Sequence, residues 1–280
     1  MLTAQHKTDF DRDGYTLVRR LWPADQTAAL RDHYMEVRAG KAYAGDLAAT
    51  SQKPNDPLRQ YPRLVHMHRW DDISLKWMLD PRLNQCLSAL YDGVEPLAVQ
   101  TMLYFKPPGG RGQAIHQDNM YLKARPGNCM AAWMALDKCD PANGCLRVVP
   151  GSHRWPLLCN TQANTDESFV DVTVPIPPGT PLVDVIMEPG DVLFFDGTLV
   201  HGSLPNTTTD RFRRALIGHY ISGHAREVAA FYHPVLRMDG SVWKLDQSPG
   251  GGPCGVWVDK VGRPEIELTG SFGAKGPAHE

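Results

Sequence analysis

Long apolar runs are missing from this chain of 280 residues. The longest, such as 129–136, are far too short to cross a bilayer, and residues 1–15 lack the apolar stretch of a secretory signal. An excess of charge of one sign is also missing, since the net charge is −2 and the pI is about 6.6. These absences predict a cytoplasmic protein whose partners include neither nucleic acid nor a membrane.

Cysteine is sparse, and no C-x-x-C pair occurs among the six cysteines. Because no export signal is visible, we expect reduced thiols rather than disulfides. Cys139 and Cys145 flank a Pro-Ala-Asn-Gly turn, and we interpret them as neighbours across a hairpin rather than as a redox pair.

The order of elements predicts a protein that is mainly β with flanking helices. Helices are predicted at 3–12 and 24–39, joined through the strand-like TLVRRLW, and 74–91 predicts two short helices broken near Pro81. After Pro96 come short strands, separated by turns rich in Gly, Pro and Asn. The predicted strands are 98–105, 129–136, 145–150, 191–195 and 214–221. Short strands with long excursions favour a double-stranded β-helix, the cupin-like jelly roll.

We expect one catalytic domain over 1–280 with three parts. These are an N-terminal helical region (1–95), a jelly-roll core (96–222) and a C-terminal extension (223–280) that covers the barrel or an interface. The irregular stretch 40–63 and an insertion at 160–187 are expected to shape a substrate pocket together with the tail beyond 225.

Three residues indicate a metal site. His116 and Asp118 form a His-x-Asp pair, and His201 lies far along the chain. Residues two apart in a strand point to the same side, so the pair suits a strand or its frayed end. Two imidazoles and one carboxylate form a facial triad that leaves coordination positions open on ferrous iron, as oxygen activation requires. The sequence therefore predicts an iron site at these three residues.

Four motifs surround these residues in order: MLYFKPPGGRGQAIHQD, NGCLRVVPGSH, PGDVLFFDGTLVHGSLPN and DRFRRALIGHY. Together they resemble the phytanoyl-CoA dioxygenase family of iron(II)/2-oxoglutarate oxygenases, from about Gln100 to Tyr220, with a weaker echo in FDRDGYTLVRRLW. The resemblance implies Fe(II) on the triad, 2-oxoglutarate and O2 as cosubstrates, and hydroxylation with release of succinate and CO2. It assigns the far carboxylate of 2-oxoglutarate to Arg213. The presence of Asp118 argues against halogenation, because related halogenases carry a small residue there.

Further residues of the cosubstrate pocket follow from the same resemblance, on looser grounds. They are Ser203, Met102 and Trp133. As alternatives, Ser203 caps the turn after His201, and Met102 and Trp133 belong to the core. Arg213 also suits its role physically, because a guanidinium offers two parallel donors that match a carboxylate. Alternation along the strand places Arg211, Arg213 and His219 on one face and Arg214 on the other, and we expect Arg213 to point inward. For His219 we expect a buried, hydrogen-bonded imidazole, and we interpret Arg211 and Arg214 as surface charges.

Candidate substrate contacts flank the iron-binding segment and carry polar tips. They are Tyr104, Gln113, Asn119 and Tyr121. These side chains favour a small polar metabolite such as an amine, an amino acid or a phosphonate. An acyl-CoA substrate is the alternative, supported by Arg111, Lys106 and Lys123 near the site.

Several readings stay open at this stage. A metal-dependent cupin-type lyase or isomerase would not use 2-oxoglutarate and would have no need of Arg213, and a non-catalytic sensor would not need an intact triad. The loop PPGGRGQ is interpreted as a strand-to-strand turn rather than a phosphate site. His66 and His68 lack a third ligand nearby in sequence, which favours a structural or rim role over a second metal. The protein is expected to be a monomer or a homodimer.

Overall fold

The computed structural model of the chain describes residues 2–41, 43, 48–49 and 53–271. Two of its helices begin at aspartate caps, where Asp71 and Asp80 accept hydrogen bonds from the backbone N–H groups of Ser74 and Arg82. Pro81 occupies the first turn of the second of these helices, where its missing N–H has no intrahelical partner to lose. The helices are α1 (Ala4–Asp13), α2 (Ala24–Gly40), α3 (Asp72–Met78), α4 (Pro81–Leu90) and α5 (Asn119–Leu122).

Within the described residues, the strands build two main antiparallel sheets and three two-stranded ones. They are β1 (Tyr15–Val18), β2 (Ala48–Ala49), β3 (Arg63–Val65), β4 (Pro96–Tyr104), β5 (Gln113–His116), β6 (Cys129–Ala135), β7 (Leu146–Val148), β8 (Thr161–Gln162), β9 (Val172–Thr173), β10 (Val183–Val185), β11 (Val192–Asp196), β12 (His201–Ser203), β13 (Ala215–Ser222), β14 (Glu227–Val228), β15 (Val235–Leu236), β16 (Val242–Trp243), β17 (Asp246–Gln247), β18 (Pro253–Lys260) and β19 (Arg263–Ser271). The large sheet runs β1-β11-β6-β13-β4-β15-β16, and β3, which pairs with β2, also pairs with β4. The small sheet runs β10-β7-β12-β5.

Alternation along the central strands separates two apolar layers. Trp133, Ile217 and Met102 are cross-strand neighbours on β6, β13 and β4, and they face the interior between the sheets. Leu216, one residue along β13, faces the opposite way into the layer that the helices cover, where Leu83 of α4 is also fully buried. Because side chains alternate strictly in a strand, this division fixes which residues can reach the interior.

The structure confirms the predicted mainly β jelly-roll class. The helices at 3–12 and 24–39 occur within one residue at each end, and the chain breaks into two helices at Pro81 as expected. TLVRRLW was wrong as a continuous strand, because β1 ends at Val18 and Arg20 adopts a left-handed turn conformation with φ 48°. The stretch 160–187 is more than an insertion, since its end forms β10, which pairs with β7.

Part of the predicted irregular stretch 40–63 lies outside the described residues, namely 42, 44–47 and 50–52. The described remainder includes β2 and a 3-10 turn at Pro57–Arg59. Of the tail, 272–280 lies outside the described residues. The division at 95 and 222 stays a prediction, and the large sheet draws strands from all three parts. In the described part of the chain, no helix is long and apolar enough to cross a membrane.

The expectation of reduced thiols is wrong for one pair of cysteines. Cys159 and Cys254 form a disulfide with a Cα–Cα distance of 4.9 Å. Backbone pairing brings them together, because the Cys159 N–H donates to Gly255 O at 2.9 Å and the Gly255 N–H donates to Leu157 O at 2.7 Å. The β18–β19 hairpin is thereby attached to the segment after β7. Cys139 and Cys145 are free and buried, as the hairpin-neighbour interpretation expected.

Candidate active site

The two predicted histidine ligands are direct cross-strand partners. His116 ends β5, His201 begins β12, and the register of these antiparallel strands pairs them, with ring centroids 4.3 Å apart. Asp118 follows immediately, at the N-terminus of α5, where the chain leaves the sheet. All three residues are buried, and one ligand atom of each lies within 4.8 Å of the others. The expected position of the pair at a strand end is confirmed.

Ring hydrogen bonds decide which nitrogens are free for a metal. His116 Nδ1–H donates to Ala114 O at 2.9 Å, and His201 Nδ1–H donates to Leu199 O at 3.0 Å. In the neutral imidazole, each Nε2 then carries no proton and has its lone pair available. Both Nε2 atoms face Asp118 Oδ1, at 3.3 and 3.7 Å. Two lone pairs and a carboxylate oxygen thus converge with no proton between them, and a divalent cation balances such a set.

The electrostatics of the cluster favour the same protonation states. Burial lowers the pKa of His201 to about 4, so its imidazole is neutral at pH 7. Burial alone would raise the pKa of Asp118, but the surrounding histidines, including the hydrogen bond from His219, hold it well below its usual value. A neutral imidazole and an ionised carboxylate are the forms that bind iron.

His219 supports Asp118 from the large sheet. Its Nε2–H donates to Asp118 Oδ2 at 3.1 Å, and the ring is buried. The expectation of a buried, hydrogen-bonded imidazole is confirmed, but its partner could not be read from the sequence. Asp118 therefore uses one oxygen toward the histidine pair and the other toward His219.

Arg213 lies inside the barrel beside a buried lysine, Lys106. The backbone of Arg213 exchanges hydrogen bonds with that of Lys106 at 2.9 and 3.1 Å, and such a pair places both side chains on one face. Arg213 Nε–H donates to Gly144 O at 3.1 Å, and Lys106 Nζ donates to the same oxygen, also at 3.1 Å. Burial, and then the charge of Arg213, lower the pKa of Lys106 well below its usual value. A buried guanidinium and a buried amine, neither in an ion pair with a carboxylate of the described residues, mark this corner as a place for an anion.

Ser203 forms part of this corner and does not simply cap the turn after His201. Its hydroxyl accepts from Lys106 Nζ at 2.8 Å and from the Gln113 N–H at 3.2 Å. Lys106 Nζ also donates to Leu204 O. Gly144, with φ 80°, closes the corner, since a Cβ there would lie 2.4 Å from Leu204 O and 3.0 Å from Lys106 Nζ.

Trp133 and Met102 line the interior between Arg213 and the metal-ligand cluster. The Arg213 guanidinium carbon lies 5.4 Å from the Trp133 ring centre, a cation–π distance. Both residues flank Ile217 on the inner face; Trp133 is buried, whereas Met102 is partly exposed. They are therefore placed as wall residues of the interior, and they also contribute to its apolar core.

Two of the four candidate substrate contacts border the cluster, and a third faces the interior. The Gln113 Nε2–H donates to His116 Nε2 at 3.1 Å, and the Tyr121 ring centre lies 6.3 Å from that of His116. Burial, followed by the charge of Asp118, raises the pKa of Tyr121 to about 12, so its phenol keeps its proton. Tyr104 faces inward on β4, across from Ala215.

The fourth candidate, Asn119, is turned away. Its Nδ2–H donates to Asn128 Oδ1 at 3.1 Å, and its Oδ1 accepts from the Ala124 N–H at 3.2 Å. Both ends of the amide are engaged within the protein, so the geometry offers a structural role for Asn119. Gln117 likewise points away from the metal and joins Thr198 O, at 2.8 Å, to the Leu158 N–H, at 2.8 Å.

Other basic residues differ from their expected roles. Arg211 and Arg214 form ion pairs with Asp140 and Asp137, each at 2.7 Å, and Arg214 is only 14% exposed, so it is not a surface charge. Lys106 was expected near the site but not as a buried partner of Arg213. Its signal was the strand register, which places it opposite Arg213. The PPGGRGQ loop is a turn, as interpreted, with Gly109 at φ 72°.

His66 and His68 do not form a metal site with a third ligand. Among the described residues, the triad of His116, Asp118 and His201 is the group that meets the requirements for holding a metal ion. His68 instead bonds Thr101 Oγ1 through Nδ1 at 3.0 Å, and His66 packs on Phe231 with ring centres 4.5 Å apart.

The family model of the phytanoyl-CoA dioxygenases (PhyH) matches residues 10–215. The chain belongs to this family. A probable phytanoyl-CoA dioxygenase from Caenorhabditis elegans is 27% identical over 238 residues, which cover 79% of this chain and 75% of that protein. The peroxisomal phytanoyl-CoA dioxygenase of Rattus norvegicus is 26% identical over 243 residues, which cover 82% of this chain and 71% of that protein.

Solved structures of the same fold include oxygenases. EctD from S. alaskensis in its apoform has a TM-score of 0.65 and 25% identity, with 79% of this chain and 77% of that chain covered. The carbocyclase SnoK from nogalamycin biosynthesis has a TM-score of 0.63 and 22% identity, with 80% and 86% covered, and shows the shared fold. EctD has also been crystallised with bound Fe.

This member of the phytanoyl-CoA dioxygenase family is a 2-oxoglutarate-dependent non-haem iron dioxygenase. Fe(II) is its metal, and 2-oxoglutarate and O2 are its cosubstrates. The family assignment therefore sets aside the lyase or isomerase and the non-catalytic sensor.

Proposed function

We propose that His116, Asp118 and His201 hold Fe(II) and that Arg213, with Lys106 and Ser203 beside it, binds the far carboxylate of 2-oxoglutarate. The observation that carries this proposal is the shared interior, in which three buried ligand atoms lie within 4.8 Å of one another and a buried guanidinium, that of Arg213, lies over Trp133 on the inner face of the large sheet. We propose hydroxylation as the reaction: substrate C–H, 2-oxoglutarate and O2 give substrate C–OH, succinate and CO2.

The residues of this chain prepare that reaction in distinct ways. The bound iron and cosubstrate supply the oxidising chemistry. His219 holds the Asp118 carboxylate in position through its 3.1 Å hydrogen bond. Arg213 supplies positive charge in a buried corner, where electrostatic attraction is weakly screened, and Lys106 Nζ adds hydrogen-bond donors there. The apolar walls at Trp133 and Met102 limit the access of water.

A small polar metabolite, such as an amino acid, an amine or a phosphonate, is the proposed substrate. Gln113 and Tyr121 border the cluster, and Tyr104 faces the interior from β4. The substrate contact expected of Asn119 has no support, because its amide is engaged elsewhere.

An acyl-CoA thioester is the second candidate, and the names of the curated relatives favour it. The basic residues that were expected to bind a coenzyme A group do not favour this candidate. Lys106 is buried in the Arg213 corner, and Arg111 is paired with Asp56 at 2.7 Å. Of the three basic residues expected to bind coenzyme A, this leaves Lys123, which lies at the end of α5.

Turnover assays with panels of candidate substrates test both the proposed reaction and the proposed substrate class. Fe(II)-loaded protein, 2-oxoglutarate and O2 are combined with amines, amino acids, phosphonates or acyl-CoA thioesters, and succinate and the product mass are measured. We expect succinate above the Asp118→Ala background with a polar metabolite, together with a gain of one oxygen. Stimulation by acyl-CoA alone would refute the substrate class, whereas a loss of two hydrogens would refute hydroxylation. No succinate above background with any class would refute the reaction.

We also propose a cytoplasmic location and a monomeric or homodimeric state. The peroxisome is the competing location, because the rat relative is named as peroxisomal. Cell fractionation and light scattering test the two statements directly; recovery in a peroxisomal fraction would contradict the first.

A further inference from the structure

Arg63 is a cation on the inner face that neither the metal nor the 2-oxoglutarate corner uses. Leu64 and Val65 of β3 pair with Leu103 and Met102 of β4, so Arg63 stands across from Tyr104. Cross-strand partners share a face, and both Met102 and Tyr104 face the interior. Leu64 alternates outward into the layer beneath the helices.

Two aromatic rings hold the Arg63 guanidinium in the interior. Its central carbon lies 5.8 Å from the Tyr104 ring centre and 5.7 Å from that of Phe169, which the 160–187 segment supplies. The Nε of Arg63 is buried and has no hydrogen-bond partner. Within 2–41, 43, 48–49 and 53–271, no carboxylate forms an ion pair with Arg63.

This situation sets Arg63 apart from other arginines around the barrel. Arg111, Arg211 and Arg214 each contact an aspartate at 2.7 Å. A partly buried cation without a counter-charge is unfavourable, and aromatic rings offset only part of that cost. An oxyanion offers the planar or tetrahedral acceptor edge that a guanidinium matches.

The Arg63 site is separate from the Arg213 corner. β3 and β13 lie on opposite sides of β4, and strands in a sheet are about 4.8 Å apart, so the two arginines arise on backbones roughly 10 Å apart. Each can hold its own anion, one on each side of Tyr104.

We propose that Arg63 binds a carboxylate or phosphonate oxyanion of the substrate, between Tyr104 and Phe169. This inference rests on the proposed function and narrows it, because an amino acid or a phosphonate satisfies Arg63 and a simple amine does not. Arg63 thus selects acidic small molecules and fixes the end of the substrate that is not oxidised.

Matched ligands of equal length test the selection. Propylphosphonate, butyrate, propylamine and butyramide are presented to the Zn(II)-substituted protein, with and without 2-oxoglutarate, and their binding is followed by saturation-transfer NMR. We expect the two anions to bind and the amine and amide not to bind. Arg63→Met should weaken the binding of the anions by at least about tenfold, and Arg63→Lys should weaken it less. The exposed control Arg59→Met should leave anion binding unchanged. Equal anion binding by Arg63→Met and the parent, or equal binding of the amine, would overturn the proposal.

A second arm separates substrate from cosubstrate. The Fe(II)-loaded parent and Arg63→Met are titrated anaerobically with 2-oxoglutarate by their visible charge-transfer band. We expect the two affinities to agree within about twofold. A loss of 2-oxoglutarate affinity as large as the loss of anion affinity would assign Arg63 to the cosubstrate and overturn the proposal. A parent that forms no band refutes the proposed function instead, while the NMR arm still reports on Arg63.

Discussion

Asp118 divides its two oxygens between two sets of residues, and the hydrogen bond from His219 Nε2 to Asp118 Oδ2, 3.1 Å long, fixes that division. Oδ1 is left facing His116 and His201. The carboxylate is thus held by the large sheet while the imidazoles are held by the small one. The metal site depends on how the two sheets are packed.

Removal of the His219 donor should weaken iron binding. In His219→Leu, Asp118 loses its orienting hydrogen bond, and we expect Fe(II) affinity to fall by about 10- to 100-fold, as for other outer ligand-supporting groups. His219→Gln keeps an N–H donor and should recover part of the affinity. Metal titration by calorimetry measures both, with the exposed His224→Leu as control. Parent-like affinity in His219→Leu, or no recovery in His219→Gln, would speak against orientation as the role of His219.

Shortening or neutralising Arg213 should affect 2-oxoglutarate more than iron. Loss of a charge-assisted hydrogen bond costs about 1.5–3 kcal/mol, so Arg213→Leu should weaken 2-oxoglutarate by about 10- to 150-fold. The 2-oxoglutarate affinity of Arg213→Lys should lie between those of the parent and Arg213→Leu, because lysine keeps the charge but loses the two parallel donors of the guanidinium. Arg211→Leu, which loses only the Asp140 ion pair, is the matched control. Equal 2-oxoglutarate affinity in Arg213→Leu and Arg211→Leu would remove Arg213 from the cosubstrate site.

The sequence predicted the triad because its signal is local and its geometry is regular. His116 and Asp118 are two positions apart at a strand end, and β12 pairs with β5 so that His201 meets His116. The helix break at Pro81 was predictable for a similar reason, because proline acts within one turn, whereas α3 begins at Asp72, two residues before the predicted start at 74.

Features that depend on distant pairing could not be predicted in this way. The roles of Lys106 and Arg63 require the registers of β4 with β13 and of β4 with β3. Asn119 was placed at the site by its proximity in sequence, but α5 turns its amide toward Asn128. The Cys159–Cys254 disulfide joins positions 95 residues apart, and no short pattern announces it.

The Cys159–Cys254 disulfide predicts how many thiols of the protein are reactive. The native protein, denatured without reductant, should show four reactive thiols rather than six. The double variant Cys159→Ser/Cys254→Ser should lose about 2–4 kcal/mol of unfolding free energy, because a long loop of the unfolded chain is released. The Cys139→Ser variant, at a free buried thiol, serves as the control for thiol counting and should show three. Six reactive thiols in the untreated parent would contradict the disulfide.

His68 should make stability depend on pH. Burial lowers its pKa to about 4, against 6.5 for an ordinary histidine, so the unfolded chain binds the proton more readily. The contribution is fully present above pH 6.5 and is lost as pH falls toward 4, by on the order of 3 kcal/mol. His68→Gln should flatten the change of unfolding free energy over that window in chelator-treated protein, whereas the exposed His224→Gln should not. Identical pH profiles for His68→Gln and the parent would exclude this contribution.

Anaerobic addition of 2-oxoglutarate to the Fe(II)-loaded protein tests the central claim most directly. We expect a weak visible charge-transfer band in the parent, its loss in Asp118→Ala, and a shift to higher 2-oxoglutarate concentrations in Arg213→Leu. No band in the parent despite bound iron, or an unchanged band in Asp118→Ala, would contradict the iron and 2-oxoglutarate site proposed at His116, Asp118 and His201.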